Sequence, residues 1–207
     1  MCRRLPRSWA VFVLGLSLGA SGCRAGPRGV AAGLPARAEA PLRPQIDVAG
    51  LGNFGVVDPG LFRSAQPTAE GFREAKRRGV KTVVDLRSTH GDAALLEGLD
   101  LAYVRLPMHE WSVGDADVAA FLKIVADPAN RPVLVHCASG ENRTGALVAA
   151  YRVVEQGWSK ADAVREMDAF GALPLWVNLR HYVETLDPDR IRALVAAAPP
   201  PRIERIP

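Results

Sequence analysis

The spacing of apolar and polar positions divides most of the chain into strands and helices. Residues 60–67 (GLFRSAQP) read as a short strand and a turn. Thr68 then stands as an N-cap for a helix to Arg78, which Gly79 stops. Residues 80–86 (VKTVVDL) and 101–106 (LAYVRL) are β-branched or apolar runs of buried-strand length. Between Asp115 and Ala126 the apolar positions Val118, Phe121, Leu122 and Val125 recur three and four apart, as one helix face requires. Residues 132–136 (PVLVH) form another strand, with Pro132 tolerated at its first position. The next run, 145–154 (GALVAAYRVV), is apolar nearly all round and predicts a helix buried in the core. Ser159 opens a further helix that ends near Gly171. Leu175, Leu179, Tyr182, Val183 and Leu186 then line one face of another. Alternating strands and helices predict an α/β fold with a mainly parallel central sheet and helices on both faces. About 150 residues suffice for one core.

The two ends break this pattern. Arg3, Arg4 and Arg7 precede the apolar run WAVFVLGLSLGA, whose final alanine begins the ASG that stands directly before Cys23. A charged start, an apolar stretch of 7–15 residues and a small-residue exit describe an export signal. The run falls short of the about 20 residues that cross a bilayer. ASG before cysteine resembles a lipobox, although Ala20 stands where leucine is more usual. Residues 1–23 are therefore expected to be a lipoprotein-type signal peptide. Residues 24–46, rich in Pro, Ala and Arg, are expected to be a flexible tether. A domain over 47–198 follows, then a disordered tail over 199–207. The implied location is the periplasmic side of a bacterial cell envelope, with a membrane anchor at Cys23.

Charge changes one conclusion. The chain of 207 residues has a formal net charge of +4, which by itself points to a polyanionic partner. Seven arginines and one glutamate give residues 1–43 a net +6, leaving 19 basic and 21 acidic residues, a net −2, in the remainder. The basic character belongs to the leader and tether, so no nucleic-acid partner is expected. The hydrophobic share of 48% excludes a disordered chain, and three cysteines exclude a disulfide-dense scaffold.

The chemistry concentrates between the strand 132–136 and the buried helix, in His136-Cys137-Ala138-Ser139-Gly140-Glu141-Asn142-Arg143-Thr144. A short loop at a helix N-terminus turns backbone N–H groups and the dipole's positive end toward an anion. Arginine supplies a planar fork that matches two phosphate oxygens. The same field favours a thiolate nucleophile.

This stretch resembles the cysteine-based protein tyrosine phosphatase superfamily, whose signature H-C-x5-R-[S/T] is met by His136, Cys137, Arg143 and Thr144. GLFRSAQPT (60–68) looks like the G-L-[YF]-R-S-[GA]-Q-P element of the compact dual-specificity-like phosphatases, bacterial and plant-and-fungal atypical branches included. VKTVVDLR (80–87) matches their strand before the acid loop. The resemblance covers most of 52–186 and implies the protein tyrosine phosphatase fold.

It also implies roles. Cys137 attacks phosphorus to form a cysteinyl-phosphate intermediate. Arg143 and the N–H groups of Ala138, Ser139, Gly140, Glu141 and Asn142 hold the phosphoryl oxygens. Thr144 hydrogen-bonds the sulfur, and His136 orders the loop. A general acid must protonate the leaving group. Asp115 is the first candidate, because it aligns with the aspartate that opens the corresponding helix in the atypical branch. Asp117, Glu110 and His109 are the alternatives, and a plain helix N-cap is the other reading of Asp115. Arg63 and Gln66 are expected to be structural, as a buried arginine pair and a helix-entry turn. Asp85 and Arg87 are expected to brace the site, and Trp111 to wall it or merely pack.

No His, Cys, Asp and Glu cluster has metal-ligand spacing, so no metal or cofactor is expected. Glu141 and the lack of lysine in the loop favour singly phosphorylated substrates, phosphotyrosine first, over polyphosphorylated inositols. The partner is a phosphorylated protein or a small phosphoester, and the protein is expected to be a monomer. A silent phosphopeptide-binding module and a rhodanese-like sulfurtransferase are the competing readings.

Overall fold

The structure is a computed structural model, described here over residues 42–89, 91–109, 111–199 and 202–207. The signal peptide, Cys23 and most of the tether lie outside the described residues. Among those described, no helix is long and apolar enough to cross a membrane.

Thirteen elements follow in the order β1 (Gly55–Asp58), β2 (Leu61–Ser64), α1 (Ala69–Arg77), β3 (Thr82–Asp85), α2 (Ala93–Leu96), β4 (Leu101–Arg105), α3 (Asp115–Ala126), β5 (Val133–His136), α4 (Arg143–Val154), α5 (Lys160–Ala169), α6 (Val177–Thr185), α7 (Pro188–Ala197) and β6 (Glu204–Ile206). The strands form one sheet in the order β1-β2-β5-β3-β4-β6. The inner four, β2, β5, β3 and β4, are mutually parallel, and β1 and β6 close the edges antiparallel.

Successive strand residues point to opposite faces, and both faces are buried. Leu61, Val84, Val104, Val133 and Val135 join one core with α3, α4, α5, α6 and α7. Phe62, Val83, Tyr103 and Leu134 join a second core with Phe72 of α1 and Leu96 of α2. Helix α4 is buried along its whole length, as its all-round apolar sequence predicts.

The caps form where polar side chains precede the helices. Thr68 accepts from Gly71 N at 3.2 Å and Ser159 accepts from Asp162 N at 3.1 Å. At α3 the cap is Gly114, whose N–H donates to Asp117 Oδ2 at 2.8 Å. Asp115 is therefore the first helical residue and not the cap.

The folded body extends beyond 47–198 at both ends. Leu42 N donates to Glu166 Oε2 at 3.2 Å, and Gln45 N donates to the Phe54 carbonyl at 2.7 Å. Residues 204–206, expected in a loose tail, add an edge strand, because Ile206 finds an apolar place opposite Leu101 and is buried there.

The parallel pairings bring the carboxyl ends of the inner strands level. Ser64, His136, Asp85 and Arg105 stand side by side, and the loop after His136 emerges from the middle of that row. In open α/β sheets this end is where ligands bind.

Candidate active site

Four consecutive carbonyls of the loop after β5 are each held by a donor. His136 Nδ1 donates to the Cys137 carbonyl at 3.2 Å, since only a protonated nitrogen can serve a carbonyl. Gln66 N donates to Ala138 O at 3.0 Å and Asn53 Nδ2 to Ser139 O at 3.1 Å. Arg63 Nη2 donates to Gly140 O at 2.7 Å. A planar trans peptide points its N–H opposite to its C=O, so these bonds turn the N–H groups of residues 138–141 away from the donors. Gly140 N shows the result, donating to Cys137 Sγ at 3.3 Å.

Gly140 has no substitute here. Its φ is +74°, and a Cβ on it would lie 2.6 Å from Ala65 N and Ser64 O. The loop thus rests directly on the end of β2.

Beyond it, Asn142 stands at the N-cap position of α4 without a side-chain cap bond and Arg143 opens the helix, placing its positive end behind the loop. Cys137 and Arg143 are both buried, and Arg143 Nη1 donates to the Met108 carbonyl at 3.4 Å. A cavity of about 130 Å³ is lined by Cys137, Ala138, Ser139, Asn142, Arg143 and Trp176. Its backbone donors and its one cation suit a single phosphoryl group.

A buried polar network supports this loop from the sheet side. Both Asp85 oxygens accept from Arg87, and Asp85 Oδ2 also accepts from Tyr103 at 3.0 Å. Asp92 Oδ1 accepts from Arg87 Nη2 at 2.6 Å and from Gln66 Nε2 at 3.1 Å. Asp92 Oδ2 lies 3.1 Å from His136 Nε2, close enough for an ion pair but off the line of a good hydrogen bond. Burial raises the Asp92 carboxyl, but His136 and Arg87 together outweigh it and hold it below the usual carboxylate range. Asp85, Asp92 and His136 stand close enough together to hold a metal ion. The Arg87 guanidinium already bridges the two carboxylates, so the cluster reads as an ion-pair network.

Several expectations change. Asp115 does not line the cavity. Its carboxylate accepts from Tyr182 Oη at 2.9 Å and pairs with Arg190 Nε at 2.8 Å, which ties α3 to α6 and α7. Asp117 is spent on the Gly114 cap. Thr144 Oγ1 is buried but makes no hydrogen bond to the sulfur, having no partner among the described residues. The Glu141 side chain lies against Gly171, outside the cavity lining. Arg63 is buried, but its guanidinium holds a loop carbonyl and stacks on Phe170 with Cζ 3.7 Å from the ring centre. Trp111 stacks on His109 and is 57% exposed; the aromatic residue lining the cavity is Trp176.

Asn53, Asp92 and Trp176 were not singled out from the sequence. Asn53 acts through partners distant along the chain, as Asp92 does through Gln66 and His136, and nothing local marks them. Trp176 had a signal, the apolar run LPLWV (173–177) between two helices.

Geometry and relatives agree on the class: this is a cysteine-dependent phosphatase with the protein tyrosine phosphatase fold. The family described as "DSP-PTPase phosphatase fused to NAD+ Kinase" matches residues 57–173, and the chain belongs to that DSP-PTPase family. It is 36% identical over 199 residues to dual specificity protein phosphatase TpbA of Pseudomonas aeruginosa, covering 93% of this chain and 88% of that protein. The crystal structure of a cysteine-to-serine TpbA in complex with pTyr superposes with a TM-score of 0.67 at 34% identity, covering 78% of this chain and 99% of that one. The catalytic core of the PP-IP phosphatase SIW14 of S. cerevisiae, in complex with citrate, gives a TM-score of 0.64 at 26% identity, over 72% and 94%.

Proposed function

We propose that this phosphatase hydrolyses aryl phosphomonoesters, phosphotyrosine in protein above all, with Cys137 as nucleophile and Arg143 as the phosphoryl clamp. The observation that carries this reading is the set of four held loop carbonyls, which turns the N–H groups of residues 138–141 away from those donors and brings Gly140 N onto Cys137 Sγ. The pTyr complex of TpbA supports the same substrate class.

In the first step Cys137 Sγ attacks phosphorus, the P–O bond to the alcohol breaks, and the departing oxygen takes a proton from a general acid. In the second, water gives a proton to the same group, now acting as a base, and attacks phosphorus, the S–P bond breaks, and inorganic phosphate leaves with the thiolate and the acid restored. The N–H groups of residues 138–141 and Arg143 stabilise the charge on the equatorial oxygens in both steps.

The acid is proposed to come from the loop between β4 and α3, because Met108 of that loop touches Arg143. Asp115, with its carboxylate committed to Tyr182 and Arg190, is the weaker candidate. Glu110, two positions beyond Met108 in the sequence and itself outside the described residues, is the stronger. Cavity lining with a single cation supports singly phosphorylated substrates over inositol polyphosphates. Export through residues 1–23 and lipid anchoring at Cys23, supported by the sequence of the leader, complete the proposal, and a monomeric state is expected with them.

The test is turnover of para-nitrophenyl phosphate and phenyl phosphate by metal-free protein. Wild type is expected to hydrolyse both, and Cys137→Ser neither. Glu110→Gln should lose more on phenyl phosphate, whose leaving group needs the proton more. Wild-type protein inert over the whole pH range would overturn the reading.

A further inference from the structure

The cavity above Cys137 holds about 130 Å³, room for a phosphoryl group and the first atoms beyond it but not for a larger ligand. The rest of any substrate must therefore lie on the rim.

One side of that rim is apolar and open. Trp176 lines the cavity and leads directly into α6. Around it Leu173 is 52% exposed, Leu175 79% and Val177 61%. These are three of the eight large exposed apolar side chains among the described residues, gathered within five positions. Scattered exposed leucines need no explanation, whereas a contiguous group beside a cavity does. The segment is also fixed in place. Leu173 N donates to Asn142 Oδ1 at 3.2 Å, so it is tied to a residue that itself lines the cavity. Trp176 N donates to the Leu173 carbonyl at 3.0 Å and closes a turn. Arg143 is the sole cation among the six lining residues, and 173–177 contains no charge.

We propose that Leu173, Leu175, Trp176 and Val177 form the substrate-docking rim of this phosphatase, and that the partner is a polypeptide whose phosphorylated aromatic residue is flanked by large apolar side chains. The inference rests on the phosphatase reading of the Cys137 loop. Continuity identifies the occupant: a chain whose phosphate reaches Cys137 leaves the cavity past Trp176 and meets Leu175 and Val177 next. Apolar flanks bury that surface, while acidic flanks find no cation in it.

The experiment compares three phosphotyrosyl peptides of equal length with the full chain, flanked by Leu and Val, by Ser, or by Asp. The readout is the ratio of their kcat/KM values in wild type and in a Leu175→Ser/Val177→Ser double variant. Both positions are exposed, so the fold should survive, and thermal melting checks that it does. Wild type should prefer the apolar-flanked peptide over the Ser-flanked one by about tenfold, the discrimination that one or two apolar contacts supply. The double variant should bring that ratio close to one. A wild-type ratio within twofold, or a preference that survives in the variant, overturns the proposal. So does an unchanged ratio accompanied by loss of self-association or of binding to lipid vesicles, which would assign the patch to another copy or to a membrane. Failure of wild type to hydrolyse para-nitrophenyl phosphate is a different outcome, and defeats the phosphatase reading itself.

Discussion

Arg63 Nη2 donates to the carbonyl of Gly140 at 2.7 Å across 77 residues of chain, and its guanidinium carbon lies over the Phe170 ring. Burial, the largest influence, pulls this guanidinium down to about 10, offset in part by Glu166 and Cys137. A fully buried cation with two unpartnered nitrogens is a costly way to hold one carbonyl. Its return is the orientation of the peptide facing Cys137. Arg63→Met keeps the volume and removes that bond. We expect kcat/KM on para-nitrophenyl phosphate to fall at least about tenfold, the equivalent of one such bond, with the melting temperature little changed. Activity close to wild type would show that the other three carbonyl bonds hold the loop without it.

Gly140→Ala tests the same loop from the other side. The new Cβ meets the backbone of Ser64 and Ala65 at 2.6 Å in a left-handed conformation, so the loop must shift. Phosphate and vanadate affinity should drop together with turnover. Titration of either ligand by intrinsic fluorescence measures this, and unchanged affinity would contradict the close approach.

Asp92 joins Arg87, Gln66 and His136 behind the loop. Asp92→Asn leaves buried cationic and imidazole partners without their carboxylate and should cost about 3 kcal/mol at neutral pH. The pH dependence has a definite sign. A carboxyl held below its unfolded value of about 3.9 contributes stability above that value and loses it as pH falls through and below it. The gap between wild type and Asp92→Asn in urea unfolding should therefore narrow below about pH 4. A gap that is constant with pH would mean the carboxylate's charge does not matter.

Asp115→Asn separates anchoring from chemistry. The Asp115–Tyr182 bond and the partly solvated Arg190 pair together should be worth about 1 kcal/mol. The Tyr182 phenol is pushed up, first by burial and then by its bond to Asp115, so it remains a donor throughout the working pH range. Tyr182→Phe should reproduce the stability loss of Asp115→Asn. If Asp115 is an anchor, both variants keep the wild-type pH profile of kcat. Loss of one limb of that profile in Asp115→Asn alone would return the acid role to it.

The inner strands, most helix faces and the reactive loop were legible in the sequence, whereas at α6 the expected face fails at Leu175, which precedes the helix and is exposed. Each depends on neighbours along the chain: β-branched runs at β3, three-and-four spacing at α3, Thr68 and Ser159 at helix starts, and the His136 to Thr144 signature between a strand and a helix. The edge strand β6 was not, because three residues carry too little pattern and Ile206 matters only once Leu101 lies beside it. The role expected of Asp115 rested on an alignment at the start of α3. Its actual partners lie 67 and 75 positions later, on helices whose approach no local pattern states.

By itself, then, the sequence determined the fold class from its periodicity, and a signature compact enough to be local singled out Cys137 and Arg143 as the candidate nucleophile and phosphate-binding arginine. The tertiary structure alone decided how the loop is held. Asn53, Arg63 and Gln66 reach its carbonyls from positions far earlier in the chain, and Trp176 comes to its rim from a later turn. Hydrogen bonds and packing of that range exist only after the sheet has brought the carboxyl ends of β2, β5 and β3 together.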